Sequence, residues 1–273
     1  MRKTLALLIF LNPLSFAQHG VLTTVASNTV TVFQPVNWNS NATAAKDNGG
    51  AVSPTTLTTM TVGTLNNRAL IAFVGFDAVA ATMGNVTAAW DPSGANQSMT
   101  LLEHVDASDS SGSEFLFGLL NPTSGNKNLT VSWDSGASQE CIVMASDFYN
   151  VNQAGGSGSF ANGTTNFGTS TTPNITITSS SGGMTVEGGN QAHSTVPLIT
   201  SATQTAIFVL SGVGAANPVA SYSSGSVSNR HAWTITSDPW EETGVELVPA
   251  TMPTVTYNGN LTTNNGTGRL QVQ

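Results

Sequence analysis

Short apolar or alternating runs recur along almost the whole chain, and each is followed by a cluster of Gly, Pro, Asn and Ser. This rhythm constrains the fold more than any single motif. The runs are TLTTMTV (56–62), RALIAFVGF (68–76), SMTLLEHV (98–105), EFLFGLL (114–120) and NLTVSW (128–133). They continue with ECIVMASDFY (140–149), NITIT (174–178), MTVEG (184–188), QTAIFVLSG (204–212), HAWTIT (231–236) and GVELV (244–248). Loops such as DPSGANQ, NPTSGNKN, QAGGSGS and SSSGG separate them. Strands are read from such period-2 or fully apolar runs, and convincing helix signals are missing. The expectation is an all-β chain folded as a single jelly-roll-like β-sandwich, with an N-terminal extended arm. RALIAFVGF is apolar on both faces, which places it in the middle of a packed sheet.

The first residues, MRKTLALLIFLNPLSFA, carry Arg2 and Lys3, then an apolar stretch, then Ser15 and Ala17 at signal-peptidase spacing. A signal peptide over 1–17 is expected, and with it a secreted, extracellular or cell-surface location. Asn12 and Pro13 interrupt the apolar run, which is too short for a permanent anchor. No later stretch does better, so no membrane span is expected in the mature chain. Without Arg2 and Lys3, five basic residues stand against 15 acidic ones, a formal net charge of −10. Nucleic acid and anionic lipid require a basic footprint and are therefore poor partners. Cys141, the one cysteine, forms no internal disulfide and reads as a small buried hydrophobe.

After the leader, VLTTVASNTVTVF (21–33) is uncharged and strand-forming. Val30 and Val32 alternate with Thr29 and Thr31, whereas Val21 and Val25 fall on the opposite phase. A bulge or a change of partner near Ser27 and Asn28 accounts for the slip. Residues 34–55 read as a polar connector. The expected organisation is a signal peptide (1–17), an arm and connector (18–55), a β-sandwich (56–249) and a C-terminal strand or extension (250–273).

The order of NNRALIAFVGFD, NVTAAW, SMTLLEHV, FGLLNPTSGNKNLTVSW, DFYNVNQ, TPNITITSSSGGMTVEGG and WEETGVELVP resembles a recurrent jelly-roll-like β-sandwich module of secreted and cell-surface bacterial proteins. The match covers roughly residues 56–249 and lies in strand order and turn chemistry. The resemblance implies an extracellular sandwich and brings no chemistry with it.

Catalytic signatures are missing: no G-x-S-x-G elbow, no H-E-x-x-H and no phosphate-binding glycine loop. His19, His104, His193 and His231 are scattered, and His231 on the Trp233 face reads as packed. A Ser-His-Asp site is defined by geometry and stays open at this level. Glu241 and Glu242 point to opposite faces of an extended strand, so they do not form a glycosidase pair. No catalytic residue is assigned. DASDSSGSE gathers Asp106, Asp109 and Glu114 near hydroxyls and a glycine, a candidate calcium loop. Trp38 and Trp240 lie in polar surroundings and are the candidates for stacking on glycans. Asn41, Asn85, Asn96, Asn128, Asn162, Asn174, Asn260 and Asn265 begin N-x-S/T acceptor triplets.

Three function classes follow. The leading one is a non-enzymatic structural subunit that self-assembles into a surface fibre or filament of identical copies by strand addition. Leu22, Val25, Val30, Val32 and Phe33 form its assembly strand, in a layout similar to donor-strand pili. The second is a secreted glycan-binding or adhesive module. The third is a polysaccharide hydrolase. Calcium is the one cofactor the sequence suggests; zinc is disfavoured by the single Cys and the unpaired histidines.

Overall fold

The computed structural model describes residues 28–30, 33–135, 138–191, 197–210, 217–225, 227–251 and 255–257. They divide into a body, Gln34–Ala250, and a second unit drawn from the two chain ends. The body is an all-β sandwich of antiparallel sheets, none of them closed into a barrel.

The central sheet has five strands in the order Asn37–Ala51, Gln139–Tyr149, Ala69–Phe76, Ser113–Leu120 and Thr100–Asp106. Ala69–Phe76 is buried along its whole length because both of its faces are covered. Leu70, Ala72, Val74 and Phe76 face a core shared with Leu57, Met60, Trp90, Leu129 and Val131. Ala69, Ile71 and Phe73 face a second core with Met184, Val186, Val245 and Leu247. Period-2 alternation sends neighbouring residues to opposite faces, so an unbroken apolar run is what a doubly covered strand requires.

The first core is closed by a four-stranded sheet, Thr55–Val62, Gly125–Ser132, Thr87–Trp90 and Gln97–Ser98. The second is closed by a five-stranded sheet, Phe160–Ser170, Asp238–Leu247, Met184–Gln191, Val219–Ser224 and Gln204–Val209. The outer face of this last sheet is partly covered in turn by Asn174–Ile177, Asn229–Thr234 and Leu198–Ile199. Burial on both sides explains why Met184–Gln191, sequence MTVEGGNQ, is buried at every position although half of it is polar.

The expected polar connector is largely a strand. Asn37–Ala51 pairs with Gln139–Tyr149 in a long antiparallel ladder, from Asn37 opposite Tyr149 to Ala51 opposite Gln139. Its composition hid it, because NWNSNATAAKDNGGA has few β-branched residues and owes its conformation to the partner ladder. The compact body runs from Gln34 to Ala250 and includes this strand.

In the second unit, Asn28–Val30 pairs antiparallel with Val255–Tyr257, with Thr29 opposite Thr256 and Val30 opposite Val255. Part of the arm thus has a partner within its own chain. Phe33 lies in the short strand Phe33–Gln34, which ladders with Ala250–Thr251. Leu22, Val25 and Val32 lie outside the described residues, as do the signal peptide, His19, His193, Asn260 and Asn265.

Candidate functional site

The chemistry of the body is concentrated on the adjacent strands Met184–Gln191 and Asp238–Leu247. Opposed residues of an antiparallel pair share a face, so the register sorts their polar side chains into two groups. Glu187 is opposite Gly244, Gly189 opposite Glu242 and Gln191 opposite Trp240, all turned away from the central sheet. Asn190 and Glu241 are opposite each other and turned toward it.

On the inner face, Asn190 Nδ2 donates to Glu241 Oε1 at 2.9 Å and to the Phe76 carbonyl at 3.2 Å. Glu114 comes up from the central sheet. A Cβ on Gly188 would stand 2.7 Å from Glu114 Oε1, and one on Gly75 would stand 3.3 Å from Oε2, so two glycines make room for this carboxyl. Glu114 is fully buried, and neither of its oxygens has a hydrogen-bond partner. Burial, with the charges of Glu241 and Glu187 behind it, raises its pKa well above the ordinary value. Glu241 is pushed up to about 8, again mainly by burial, with the Asn190 hydrogen bond opposing and Asp109 and Asp106 adding repulsion.

On the outer face, Ser221 Oγ donates to Glu187 Oε2 at 2.6 Å and lies 2.7 Å from His231 Nδ1. A hydroxyl has one proton, so with Ser221 donating to Glu187, His231 carries its proton on Nδ1. Nε2 then accepts from Thr185 Oγ1 at 2.9 Å. Trp233 Nε1 donates to Glu187 Oε1 at 2.9 Å, and Gln204 Nε2 donates to Ser221 Oγ at 3.0 Å. Burial lowers the His231 pKa to about 4 and raises that of Glu187 to about 7, the Ser221 and Trp233 hydrogen bonds opposing the second shift. A catalytic triad puts His between the hydroxyl and the carboxylate. Here the hydroxyl stands between His and carboxylate, and all three side chains are buried. The arrangement fixes rotamers and a tautomer, and it presents no nucleophile to solvent.

Beside this network is a narrow cleft with room for about one water-sized body. Gln191, Asn217, Trp233, Trp240 and Glu242 line it, and the Asn217 amide donates to the Gln191 carbonyl at 3.0 Å. Glu242 is 1 % exposed and neither carboxylate oxygen has a hydrogen-bond partner among the described residues. Burial and the Glu187 charge raise its pKa, while Arg230 acts in the opposite sense.

The residues singled out from sequence are distributed otherwise. Asp106 Oδ1 accepts from the Ala80 amide and lies 2.9 Å from His104 Nε2, and Asp109 Oδ1 accepts from the Ser111 amide in an exposed turn. Glu114, the third member of the proposed calcium loop, points into the interlayer. Its even register with Leu116 takes it away from the turn. Among the described residues, no group of three or more His, Cys, Asp or Glu side chains is placed to hold a metal ion. Trp240 is 5 % exposed, its indole donates to Ser170 Oγ at 3.0 Å, and Gly168 packs against its ring. It is therefore buried apart from the part that lines the cleft. Trp38 is half-buried, donating to Ser146 Oγ at 2.6 Å and tilted against Tyr222 at 5.2 Å.

Asn85, Asn96 and Asn128 are exposed. Asn41 is half-buried in the edge strand, and the Asn162 and Asn174 amides are engaged, Asn162 with Glu246 and Thr178 and Asn174 with Thr172. Glu187, Ser221 and Glu242 escaped the sequence reading as a group. The available signal was a glutamate inside MTVEGGNQ in a chain where only 8 % of residues are charged. Compared with protein-family models, with curated proteins and with solved structures, the chain finds no match.

Proposed function

We propose that the protein is a secreted, non-enzymatic structural subunit that assembles with copies of itself into a surface fibre or filament. One observation carries this reading: the two chain ends form a unit of their own, built on the ladder of Asn28–Val30 with Val255–Tyr257. Among the described residues this ladder has two strands; a two-stranded ladder is marginal in water, and open edges would offer N–H and C=O groups to another chain. Strands from neighbouring copies would complete it. A head-to-tail contact of this kind propagates when its rotation does not close. The arm then acts already paired with the C-terminal segment, and not as a lone donor strand. The all-β sandwich of the body is in keeping with kinship to the secreted bacterial module, which forms part of the same proposal.

The test is negative-stain microscopy and light scattering of the chain from residue 18, beside a variant lacking 18–33. Regular filaments from the first and monomers from the second are expected. Monodisperse monomer from the intact mature chain overturns the reading.

A further inference from the structure

The outer-face cleft holds a buried carboxyl group with no hydrogen-bond partner among the described residues. Glu242 is 1 % exposed, both of its oxygens are unpartnered, and it lines the cleft. The ionised carboxylate, which burial disfavours, only accepts hydrogen bonds, so the partner that would stabilise it is a donor or a cation. The walls narrow the choice. Gln191 and Asn217 supply amides, and Trp233 and Trp240 supply indole surfaces. Indole faces attract cations, and an ammonium is favoured where water is excluded. Calcium takes six or more oxygen ligands, more than one carboxylate and two amides provide. Residue 189 is glycine where a side chain would crowd the site: a Cβ there would stand 3.1 Å from Val219, 3.2 Å from Glu242 and 3.3 Å from Glu187. The cleft has room for a body of about the size of one water, which is also the size of an ammonium head.

We propose that this cleft binds a primary ammonium group, held by Glu242 beside Gly189 and the indoles of Trp233 and Trp240. The ammonium comes from a free small amine or from a lysine side chain of another chain. This site is separate from the terminal ladder, and its failure leaves the assembly reading untouched.

The experiment titrates methylammonium, Nα-acetyl-lysine amide, glucose and calcium chloride into the full mature chain and follows the indole N–H resonances. The signals of Trp233 and Trp240 should move with both amines, while those of Trp90 and Trp133, in the other core, stay fixed. A guest with so few atoms should bind with a dissociation constant in the millimolar range. Glu242→Gln should weaken it at least about tenfold, because the charge is lost while the shape is kept. Gly189→Ala, which crowds the site, should do the same, and it serves as the second variant if Glu242→Gln does not fold. Tighter binding of the lysine amide than of methylammonium would identify a protein side chain as the guest, and the reverse a free amine. The proposal is overturned if no shift occurs at about 100 mM amine, if both folded variants bind as the parent does, or if calcium or glucose moves the same resonances more strongly.

Discussion

Ser221 Oγ and His231 Nδ1 lie 2.7 Å apart with no solvent on either side, and the same hydroxyl reaches Glu187 at 2.6 Å. Removing the hydroxyl leaves a buried ring N–H and a buried carboxyl oxygen short of a partner. Ser221→Ala should therefore cost about 2–3 kcal/mol. Urea denaturation, read as a lower midpoint at unchanged slope, checks this; a variant as stable as the parent would show that the network contributes nothing.

Buried carboxyls on both faces of this sheet set a pH dependence. Glu187 and Glu241 have pKa values raised to about 7 and about 8 in the folded protein. Their folded forms bind protons that the unfolded chain has released, so their contribution is complete below the unfolded value of 4.5 and is lost as pH rises toward 7 and 8. His231 works in the opposite sense: lowered from 6.5 to about 4, it favours folding above 6.5 and loses that contribution as pH falls toward 4. Two carboxyls outweigh one imidazole between these limits. The melting temperature should fall by about 5 °C or more between pH 5 and pH 8. A scan of thermal unfolding against pH decides it, a rise over that interval being the contrary result.

Gly188 packs directly against side chains of the central sheet. A Cβ there would stand 2.5 Å from Phe73 Cδ1 and 2.7 Å from Glu114 Oε1. Gly188→Ala should destabilise by about 1–3 kcal/mol through overpacking. Calorimetry of the variant should show a lower melting temperature, and an unchanged one would mean that the layers separate freely.

Thr29 and Thr256 are opposed in the terminal ladder. Opposed positions of an antiparallel pair are within reach of a disulfide, so the double variant Thr29→Cys, Thr256→Cys should oxidise to an intrachain bridge. Non-reducing electrophoresis should show monomer. Disulfide-linked dimers and higher species in its place would mean that these strands exchange between copies.

Cys141 is fully buried in Gln139–Tyr149. A thiol reagent should label it only as fast as the body unfolds, since reaction requires an exposed thiolate. Labelling that is rapid in native buffer would contradict the burial.

Much of the sandwich was legible because its interior strands are written in apolar periodicity. RALIAFVGF announced a doubly covered strand, and Leu70 and Ile71 do face different cores. Glu241 and Glu242 were separable by alternation alone, and they sit on opposite faces. Asn37–Ala51 was not legible, because an edge strand takes its conformation from a ladder with residues about a hundred positions away. Glu114 was misplaced for a related reason: its chain neighbours form an acidic turn, but the pleat turns its carboxyl inward.

By itself the sequence determined the all-β class, the central strand and the pairing-competent ends, since each is carried by local periodicity and turn chemistry. The tertiary structure alone decided which polar side chains meet. Glu187, Ser221 and His231 come from three strands, and Glu242 and Trp233 line one cleft only because the outer strands fold over the sheet. Contacts of that kind depend on register between distant segments, and no local pattern in the chain encodes them.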